Sequence, residues 1–387
     1  MILIKNANVF APEALGKMDI LVAGGQIEYM AETIEIKNAP YISKIIDAQG
    51  FTVVPGLIDS HCHIAGAGGE GGPATRTPEM NINNFFEAGV TTAVGCLGTD
   101  GITRNPKSVL MKAKALQEEG MTALMYTGAY QIPTPTILGS VSEDIALIDE
   151  IIGVGEIALS DHRSSVPSVS EIAKIAAAAR LGGMLGGKAG IVNIHMGDAL
   201  DPFQPLYDVV KMSELSFKQF MPTHINRNKH IFEDAKKYGL LGVVDITSSS
   251  YPFFPEYEIK PAKAVAQLLQ SGVPIQNITM SSDAGGSLPD FDADGNLVKL
   301  ETGKPLSLLT EFRDMIRHEK LSIGQAIRIV STNVAGVLKL AKKGKIKTGL
   351  DADLLILDND LNLMTMISRG EVAVENYKII KKTYFKN

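Results

Sequence analysis

Apolar and polar positions alternate in short runs over the first 55 residues, as in MILIKNANVF and DILVAGGQIEYM. Successive side chains of a strand point to opposite faces, so this pattern predicts half-buried β-strands separated by turns. The pattern returns over residues 336–387, in GKIKTGLDADLLILD and GEVAVENYKIIKKTYF. Both ends of the chain are therefore predicted to form strands.

Residues 56–335 instead alternate short apolar runs with longer helical patterns, such as those at 105–119, 169–181 and 231–238. Eight strands and interleaved helices over this length are typical of a (β/α)8 barrel. A doubly wound open sheet is the alternative, but no Gly-rich dinucleotide fingerprint follows the first strand. The eight predicted strands cover residues 56–64, 90–97, 122–129, 155–160, 191–196, 220–225, 242–248 and 278–282.

Composition narrows the class of protein. The chain has 387 residues, of which 45% are apolar, and it carries a net charge of −6. Because basic clusters are lacking, nucleic-acid binding is not expected. We expect neither a membrane span nor a secretory signal, because long charge-free apolar runs are missing and residues 1–10 lack a basic segment before an apolar one. Cys62 and Cys96 provide no disulfide framework and fit a reducing cytoplasm.

The run GLIDSHCHI places two histidines two residues apart at the end of the first predicted strand. Period-2 alternation directs His61 and His63 to one face, roughly 7 Å apart along the strand. Two converging imidazoles can bind one metal ion. Cys62 points to the other face, where packing is its expected role. Taken alone, the pair is more readily interpreted as two polar strand-end residues.

Further candidate ligands close other predicted strands: His195 in GIVNIHMGD, His224 in FMPTHINRN and Asp283 in ITMSSDAGGS. Any one of them could be a structural residue. In a barrel, however, the carboxyl ends of all strands face one mouth, where active sites are built. Their recurrence on successive strands therefore predicts a metal centre.

This arrangement resembles the amidohydrolase superfamily, with HxH on strand 1, a carboxylate or carbamylated lysine on strand 4, His on strands 5 and 6, and Asp on strand 8. GLDADLLILD is similar to the tail of that superfamily. The resemblance implies an α/β fold, with a (β/α)8 TIM-like barrel over residues 56–335 and a small β-sandwich built from 1–55 and 336–387. Within the superfamily, the isoaspartyl (β-aspartyl) dipeptidases are closely similar in the motifs HCHIAGAGGEGGPATRTPE, TGAYQIPTPTI, SDHRSSVPS, HMGD, PTHINRN and SSDAGGS.

One position departs from the family pattern. Well-known members carry a carbamylated lysine on strand 4, whereas Glu156 stands at the corresponding position here. No lysine lies between Lys114 and Lys174, so carbamylation on this strand is excluded. We expect Glu156 to supply the bridging carboxylate directly, although its shorter stem requires the strand or the metal pair to shift. The alternative is a loop charge beside a mononuclear centre.

The resemblance implies a binuclear centre of two divalent ions. One ion would be held by His61, His63, Glu156 and Asp283, and the other by Glu156, His195 and His224. Nitrogen and oxygen ligands favour Zn²⁺, while manganese or cobalt would also fit. Two such ions would supply a bridging hydroxide near neutral pH. Asp283 would transfer its proton to the leaving amine, and Tyr130 would stabilise the oxyanion.

The implied substrate is a small isoaspartyl dipeptide, which has one ammonium group and two carboxylates. Glu70 matches the family residue that pairs with the ammonium, and Arg163 and Arg227 match the carboxylate-binding residues. Which arginine binds which carboxylate stays open. Without the resemblance, each would be interpreted as a surface or structural arginine. Smaller contacts are expected from Thr99, Ser287 and the backbone of Gly68.

Two other functions remain as alternatives. A different amidohydrolase, namely a cyclic amidase of the dihydroorotase or hydantoinase type or a deaminase, would share the metal ligands. Its substrates lack the zwitterionic pattern that Glu70 and the two arginines suit. A non-catalytic relative would have lost metal ligands, which this chain retains. The resemblance further implies a homo-oligomer, often an octamer.

Overall fold

The computed structural model describes residues 1–35, 40–292 and 297–384. The predicted N-terminal strands are present, and in the first of them Leu3, Ala7 and Val9 turn inward. The last residue of the predicted C-terminal run, Phe385, lies outside the described residues. The N-terminal strands are β1 (Ile2–Phe10), β2 (Ala14–Ala23), β3 (Gln26–Ala31), β4 (Lys44–Asp47) and β5 (Thr52–Pro55).

All eight strands predicted for the central region are present. The fifth matches its predicted bounds, and the fourth begins four residues early because the apolar run IIGVG already pairs with its neighbours. The others end one or two residues early, where the chain turns toward the site. They are β6 (Leu57–Cys62), β7 (Val90–Gly95), β8 (Thr122–Thr127), β9 (Ile151–Leu159), β10 (Ile191–Met196), β11 (Phe220–Thr223), β12 (Val244–Thr247) and β13 (Ile278–Ser281).

Helices alternate with these strands, and their ends follow local signals. The Ser168 and Glu171 side chains form a capping box at the start of the fourth helix, and Gly187 ends it in the left-handed conformation. A π-helical turn, Arg328–Thr332, joins the last two helices. The helices are α1 (Ile82–Glu87), α2 (Pro106–Glu119), α3 (Val141–Leu147), α4 (Val169–Gly186), α5 (Gln204–Met212), α6 (Lys229–Gly239), α7 (Pro261–Gln270), α8 (Leu306–Arg317), α9 (Ile323–Ile327) and α10 (Asn333–Val337).

A hairpin that the sequence pattern did not predict follows the eighth strand: β14 (Ser287–Phe291) pairs with β15 (Leu297–Thr302). Four more strands follow, and they join β1–β5 in one nine-stranded sheet of order β19-β18-β17-β16-β5-β1-β2-β3, with β4 beside β1. Both chain ends therefore contribute to one sheet. The four strands are β16 (Leu354–Leu357), β17 (Leu363–Ser368), β18 (Glu371–Glu375) and β19 (Lys378–Ile379).

The central strands form a parallel six-stranded sheet of order β11-β10-β9-β8-β7-β6 and a separate parallel pair, β12-β13. Strand pairing among the described residues therefore does not form one continuous eight-stranded ladder. Individual backbone contacts bridge the gaps: Asp283 N donates to His61 O at 3.0 Å, His63 N to Ala284 O at 2.6 Å, and Ile225 N to Asp245 O at 3.4 Å. The parallel order brings the carboxyl ends of neighbouring strands to one edge.

The sheet strands β6, β7, β9 and β10 are buried along their whole lengths. This is expected where helices cover a parallel sheet. The polar residues in these strands therefore occupy an enclosed interior rather than a solvated face. Over the described ranges, we find no helix with the length and apolar character needed to cross a bilayer.

Candidate metal centre

The four histidines singled out in the sequence meet around one carboxylate. His61 lies in β6 and His195 in β10, while His63 and His224 directly follow β6 and β11. Glu156 lies in β9, between them, and it is 1% exposed. The structure thus brings these five residues together at one edge of the parallel strands.

Glu156 reaches all four imidazoles. Its Oε2 lies 2.9 Å from His195 Nδ1, 3.0 Å from His224 Nε2 and 3.4 Å from His61 Nε2. Its Oε1 lies 3.8 Å from His63 Nε2. Two groups of potential ligands result, each with ligand atoms within 4.8 Å of one another: His61, His63, Cys96 and Glu156 form one, and Glu156, His195 and His224 form the other.

Asp283, which follows β13, closes the cluster on the side of the HxH histidines. Its Oδ1 lies 3.0 Å from His63 Nε2 and 3.6 Å from His61 Nε2. Three buried atoms of the cluster form no well-aligned hydrogen bond among the described residues, even where a neighbour is as close as 3.0 Å: His61 Nε2, Glu156 Oε1 and Asp283 Oδ1. Orphaned buried polar atoms are costly, and these three converge as ligands of a cation would. The donor set therefore fits divalent metal ions.

Neighbouring side chains orient two of the histidines. Asn193 Oδ1 lies 3.0 Å from His61 Nδ1, and Thr247 Oγ1 lies 2.7 Å from His224 Nδ1. When the Nδ1 atom of a histidine is hydrogen-bonded, its Nε2 atom is free to bind metal. In both residues it is Nε2 that faces Glu156, so the orientation suits coordination.

His195 is turned the other way. Its Nδ1 faces Glu156, while its Nε2 lies 3.0 Å from Asp161 Oδ2. The hydroxyl of Tyr130 lies 2.7 Å from the same Nδ1. Tyr130 is 5% exposed, so its phenol borders the cluster from the loop after β8.

Charges within the cluster favour an ionised Glu156 and a neutral His224. Burial alone would raise the pKa of Glu156, but the charges of His61 and His195 outweigh burial and hold that pKa well below the usual range. Burial lowers the pKa of His224 to about 4, so its imidazole is neutral, as a metal ligand must be. Burial and then Glu156 raise the pKa of Tyr130, which keeps its hydroxyl as a hydrogen-bond donor.

A cavity of about 640 Å³ opens over the cluster. Glu70 lies on its wall, where its carboxylate accepts hydrogen bonds from Thr99 Oγ1 at 3.1 Å and from Ser287 Oγ at 3.2 Å. The predicted residues Glu70, Thr99 and Ser287 are thus neighbours. Gly68 lies close by, where it forms an isolated bridge with Arg76, while Ala67 lines the cavity.

The two predicted arginines also line this cavity. Arg163 donates from Nε to Asp161 Oδ1 at 2.9 Å and from Nη2 to Asp161 Oδ2 at 3.0 Å, while its Nη1 lies 3.6 Å from Glu70 Oε1. Its guanidinium also stacks over the Tyr130 ring, 5.3 Å from the centroid. Arg227 Nη1 lies 3.5 Å from Asp161 Oδ2.

Sequence reasoning missed several residues at this site. Asn193 could have been found, because it stands two residues before His195 on the same face of β10. Asp161 stands inside the quoted SDHR motif, where nothing in its spacing distinguished it from a loop charge. The thiol of Cys96 lies 3.9 Å from His63 Nδ1. Phe254, Tyr257 and Glu258 also line the cavity, and no sequence motif marked them.

Comparisons with known proteins identify the family of the chain. The model of the amidohydrolase family matches residues 214–385. A solved β-aspartyl dipeptidase of Fervidobacterium islandicum, in complex with a β-Asp-Leu dipeptide, is 40% identical, and the match covers 99% of both chains with a TM-score of 0.91. A second structure of a β-aspartyl dipeptidase from that organism is 38% identical over 99% of this chain and 100% of the other, with a TM-score of 0.89.

More distant curated relatives have a different name. The dihydroorotase of Acetivibrio thermocellus is 25% identical over 97% of this chain and 93% of its own length. The dihydroorotase of Elusimicrobium minutum is 25% identical over 96% of this chain and 90% of its own.

Proposed function

Because the chain belongs to the isoaspartyl (β-aspartyl) dipeptidase family of the amidohydrolase superfamily, we propose that it is a metallopeptidase that hydrolyses the isopeptide bond of β-aspartyl dipeptides. The observation that carries this proposal is a single cavity in which a His/Glu metal-binding cluster faces one carboxylate and two arginines. A zwitterionic dipeptide with one ammonium group and two carboxylates complements those charges.

The proposed metal ligands are His61, His63, Glu156, His195, His224 and Asp283, with Glu156 shared between two ions, most simply Zn²⁺. Divalent ions bound there would lower the pKa of a water molecule enough to supply hydroxide near neutral pH and would polarise the scissile carbonyl. Support comes from the reach of Glu156 to all four imidazoles and from the orphaned atoms of His61, Glu156 and Asp283.

Asp283 and Tyr130 are the proposed catalytic side chains. Asp283 is less enclosed than Glu156, with 15% of its side chain exposed at the cavity. It is therefore placed to accept a proton from the nucleophile and to return it to the leaving amine. Tyr130 holds a neutral hydroxyl beside His195, where it can donate to an oxyanion.

Substrate recognition is assigned to the cavity wall. Glu70 would bind the α-ammonium, with Thr99 and Ser287 orienting its carboxylate. Arg163 and Arg227 would bind the two substrate carboxylates. The backbone near Gly68 completes this side of the cavity, where glycine permits the positive φ of 77°.

The architecture implied by this family is part of the proposal. We assign residues 56–335 to a (β/α)8 barrel, which the backbone hydrogen bonds at the ends of β13 and β6 and of β11 and β12 would complete. Residues 1–55 and 336–387 would form the β-sandwich around the nine-stranded sheet. We further propose a homo-oligomer in a cytoplasmic setting, where Cys62 and Cys96 would stay reduced, as both are free here.

Dihydroorotase is the second candidate, because curated relatives of that name align over nearly the whole chain. The two functions are separated by assaying the zinc-loaded protein against β-Asp-Leu, α-Asp-Leu and dihydroorotate. We expect turnover of β-Asp-Leu with at least a 100-fold lower kcat/KM for the other two. Turnover of dihydroorotate without cleavage of β-Asp-Leu would overturn the proposal in favour of the second candidate.

A further inference from the structure

We propose that Asp161 is a positioning residue that couples the candidate metal ligand His195 to both substrate arginines. This inference rests on the proposed function, since it assigns roles to His195, Arg163 and Arg227. It assigns Asp161 neither to the metal nor to the substrate. Its carboxylate would instead set the geometry of the groups that bind them.

The first half of the coupling is the contact with His195. Asp161 Oδ2 lies 3.0 Å from His195 Nε2, and both residues are buried. Nη2 of Arg163 and Nη1 of Arg227 lie 3.0 Å and 3.3 Å from the same Nε2. Of these three groups only the carboxylate can accept a hydrogen bond, so the proposal assigns the proton to Nε2, donating to Asp161, and the lone pair to Nδ1. That Nδ1 lies 2.9 Å from Glu156 Oε2, inside the cluster. A carboxylate behind a histidine in this way both orients the ring and raises its basicity as a ligand.

The second half is the contact with the arginines. Arg163 binds Asp161 through two parallel N–H donors, with Nε to Oδ1 at 2.9 Å and Nη2 to Oδ2 at 3.0 Å. The backbone N–H of Arg163 also donates to Oδ1 at 2.8 Å. Arg227 Nη1 approaches the other oxygen, Oδ2, at 3.5 Å, and it donates to Met196 O, next to His195, at 3.1 Å.

The paired geometry determines which donors remain for a ligand. With Nε and one Nη2 donor of Arg163 engaged, its Nη1 points along the wall toward Glu70, 3.6 Å from Oε1. Arg163 therefore presents a fixed edge to the cavity, whereas an arginine without Asp161 would sample many rotamers. Burial opposes ionisation of Asp161, but its hydrogen bonds from His195 and Arg163 outweigh burial and hold its pKa below the usual range. Asp161 is thus an anion shared by three groups.

The experiment compares Asp161→Asn with Asp314→Asn as a matched control. The control removes a carboxylate that pairs with Lys260 at 2.5 Å, away from the cluster. Two properties are measured on folded protein: Zn²⁺ affinity by chelator competition, and KM and kcat for β-Asp-Leu. We expect Asp161→Asn to lower Zn²⁺ affinity about 10- to 100-fold, as loss of an outer carboxylate does, and to raise KM at least 10-fold. The control should leave both within twofold.

A second variant tests orientation directly. Asp161→Ala leaves a space beside a surface cavity that Asp161, Arg163 and Arg227 line. Added formate should then restore part of the Zn²⁺ affinity and lower KM in this variant, without effect on the wild type. A residue that merely stabilises its loop would change the melting temperature and show no such rescue.

If both variants fail to fold, the wild-type protein still tests the proposal. Nitrogen NMR of the ¹⁵N-histidine-labelled zinc protein should show His195 protonated at Nε2, and an Nδ1–H tautomer would overturn the proposal. Unchanged Zn²⁺ affinity and KM in a folded Asp161→Asn variant would overturn it as well. Should the wild type fail to cleave β-Asp-Leu, the proposed function fails, while Zn²⁺ affinity and the tautomer still test the contact with His195.

Discussion

Oε2 of Glu156 lies 3.0 Å from Nε2 of His224, although 68 residues separate the two along the chain. Both are buried, and the same oxygen is also in reach of His61 and His195. The carboxylate of Glu156 thus stands at the centre of the four histidines. Strand β9 passes directly beside β10, which places Glu156 against the imidazoles.

Glu156→Gln should remove the shared anionic ligand. We expect the variant to retain less than half of the metal bound by the wild type after dialysis, with kcat on β-Asp-Leu reduced at least 100-fold. The control is Glu150→Gln. Glu150 lies just before the same strand, and its carboxylate pairs with Lys114 at 3.0 Å. Metal reconstitution of the wild type should also be independent of bicarbonate, and a strict bicarbonate requirement would contradict the role of Glu156.

Gly155→Ala should disturb the centre through steric crowding and backbone strain, without removing a ligand. A Cβ at Gly155 would lie 2.8 Å from Asn193 Cβ and 2.8 Å from Asn193 O, and the φ of this residue is +151°. Since Asn193 orients His61, we expect both a lower melting temperature and weaker metal binding. The control is Gly336→Ala, where nothing lies within 4 Å of the added Cβ. That helical position should be neutral or stabilised by up to about 1 kcal/mol, and equal melting temperatures for the two variants would refute the packing argument.

Glu70→Gln should weaken substrate binding without affecting the metal. Glu70 sits between Thr99 and Ser287 at the cavity wall, so its amide variant keeps the shape and loses the charge. A charge-assisted hydrogen bond contributes about 1.5–3 kcal/mol, which corresponds to a decrease in kcat/KM of roughly 10- to 100-fold. Metal content should equal that of the wild type. Steady-state kinetics on β-Asp-Leu, with Glu79→Gln as the surface control, would detect the change, and an unaltered kcat/KM would remove Glu70 from the recognition site.

Glu311 should make the stability of the fold depend on pH, away from the metal. Burial raises its pKa to about 7 from the usual 4.5. The folded state therefore holds the proton more tightly than the unfolded chain, and this stabilisation is complete below about pH 4.5 and lost as the pH rises through 7. At 1.36 kcal/mol per unit, the loss is up to about 3 kcal/mol.

Glu311→Gln should abolish that contribution, because the amide cannot ionise, while its oxygen can still accept from Ala262 N, a bond of 2.8 Å in the wild type. Thermal midpoints at pH 5 and pH 8 should therefore diverge less in the variant than in the wild type. Glu256→Gln, at an exposed position, provides the reference. If wild type and Glu311→Gln show the same difference between the two pH values, the buried acid has no such effect.

The strands and the candidate ligands could be predicted from the sequence because their signals are local. Period-2 alternation placed His61 and His63 on one face, and the bounds of β10 match the predicted 191–196. The lysine-free interval around Glu156 excluded carbamylation without any coordinates. Apolar runs bounded by turn residues recur in any strand that a helix covers, so this part of the fold follows from residue order.

The contacts that orient the ligands depended on tertiary structure. Asn193 meets His61 across 132 residues, and Asp161 meets His195 across 34. The hairpin of β14 and β15 was likewise not predicted by the apolar–polar pattern. Such contacts depend on strand register and on loop paths over the carboxyl edge, which periodicity does not encode. The sequence by itself determined which residues are available to bind metal; packing decided which nitrogen of each histidine faces the centre, because a distant partner holds the other one.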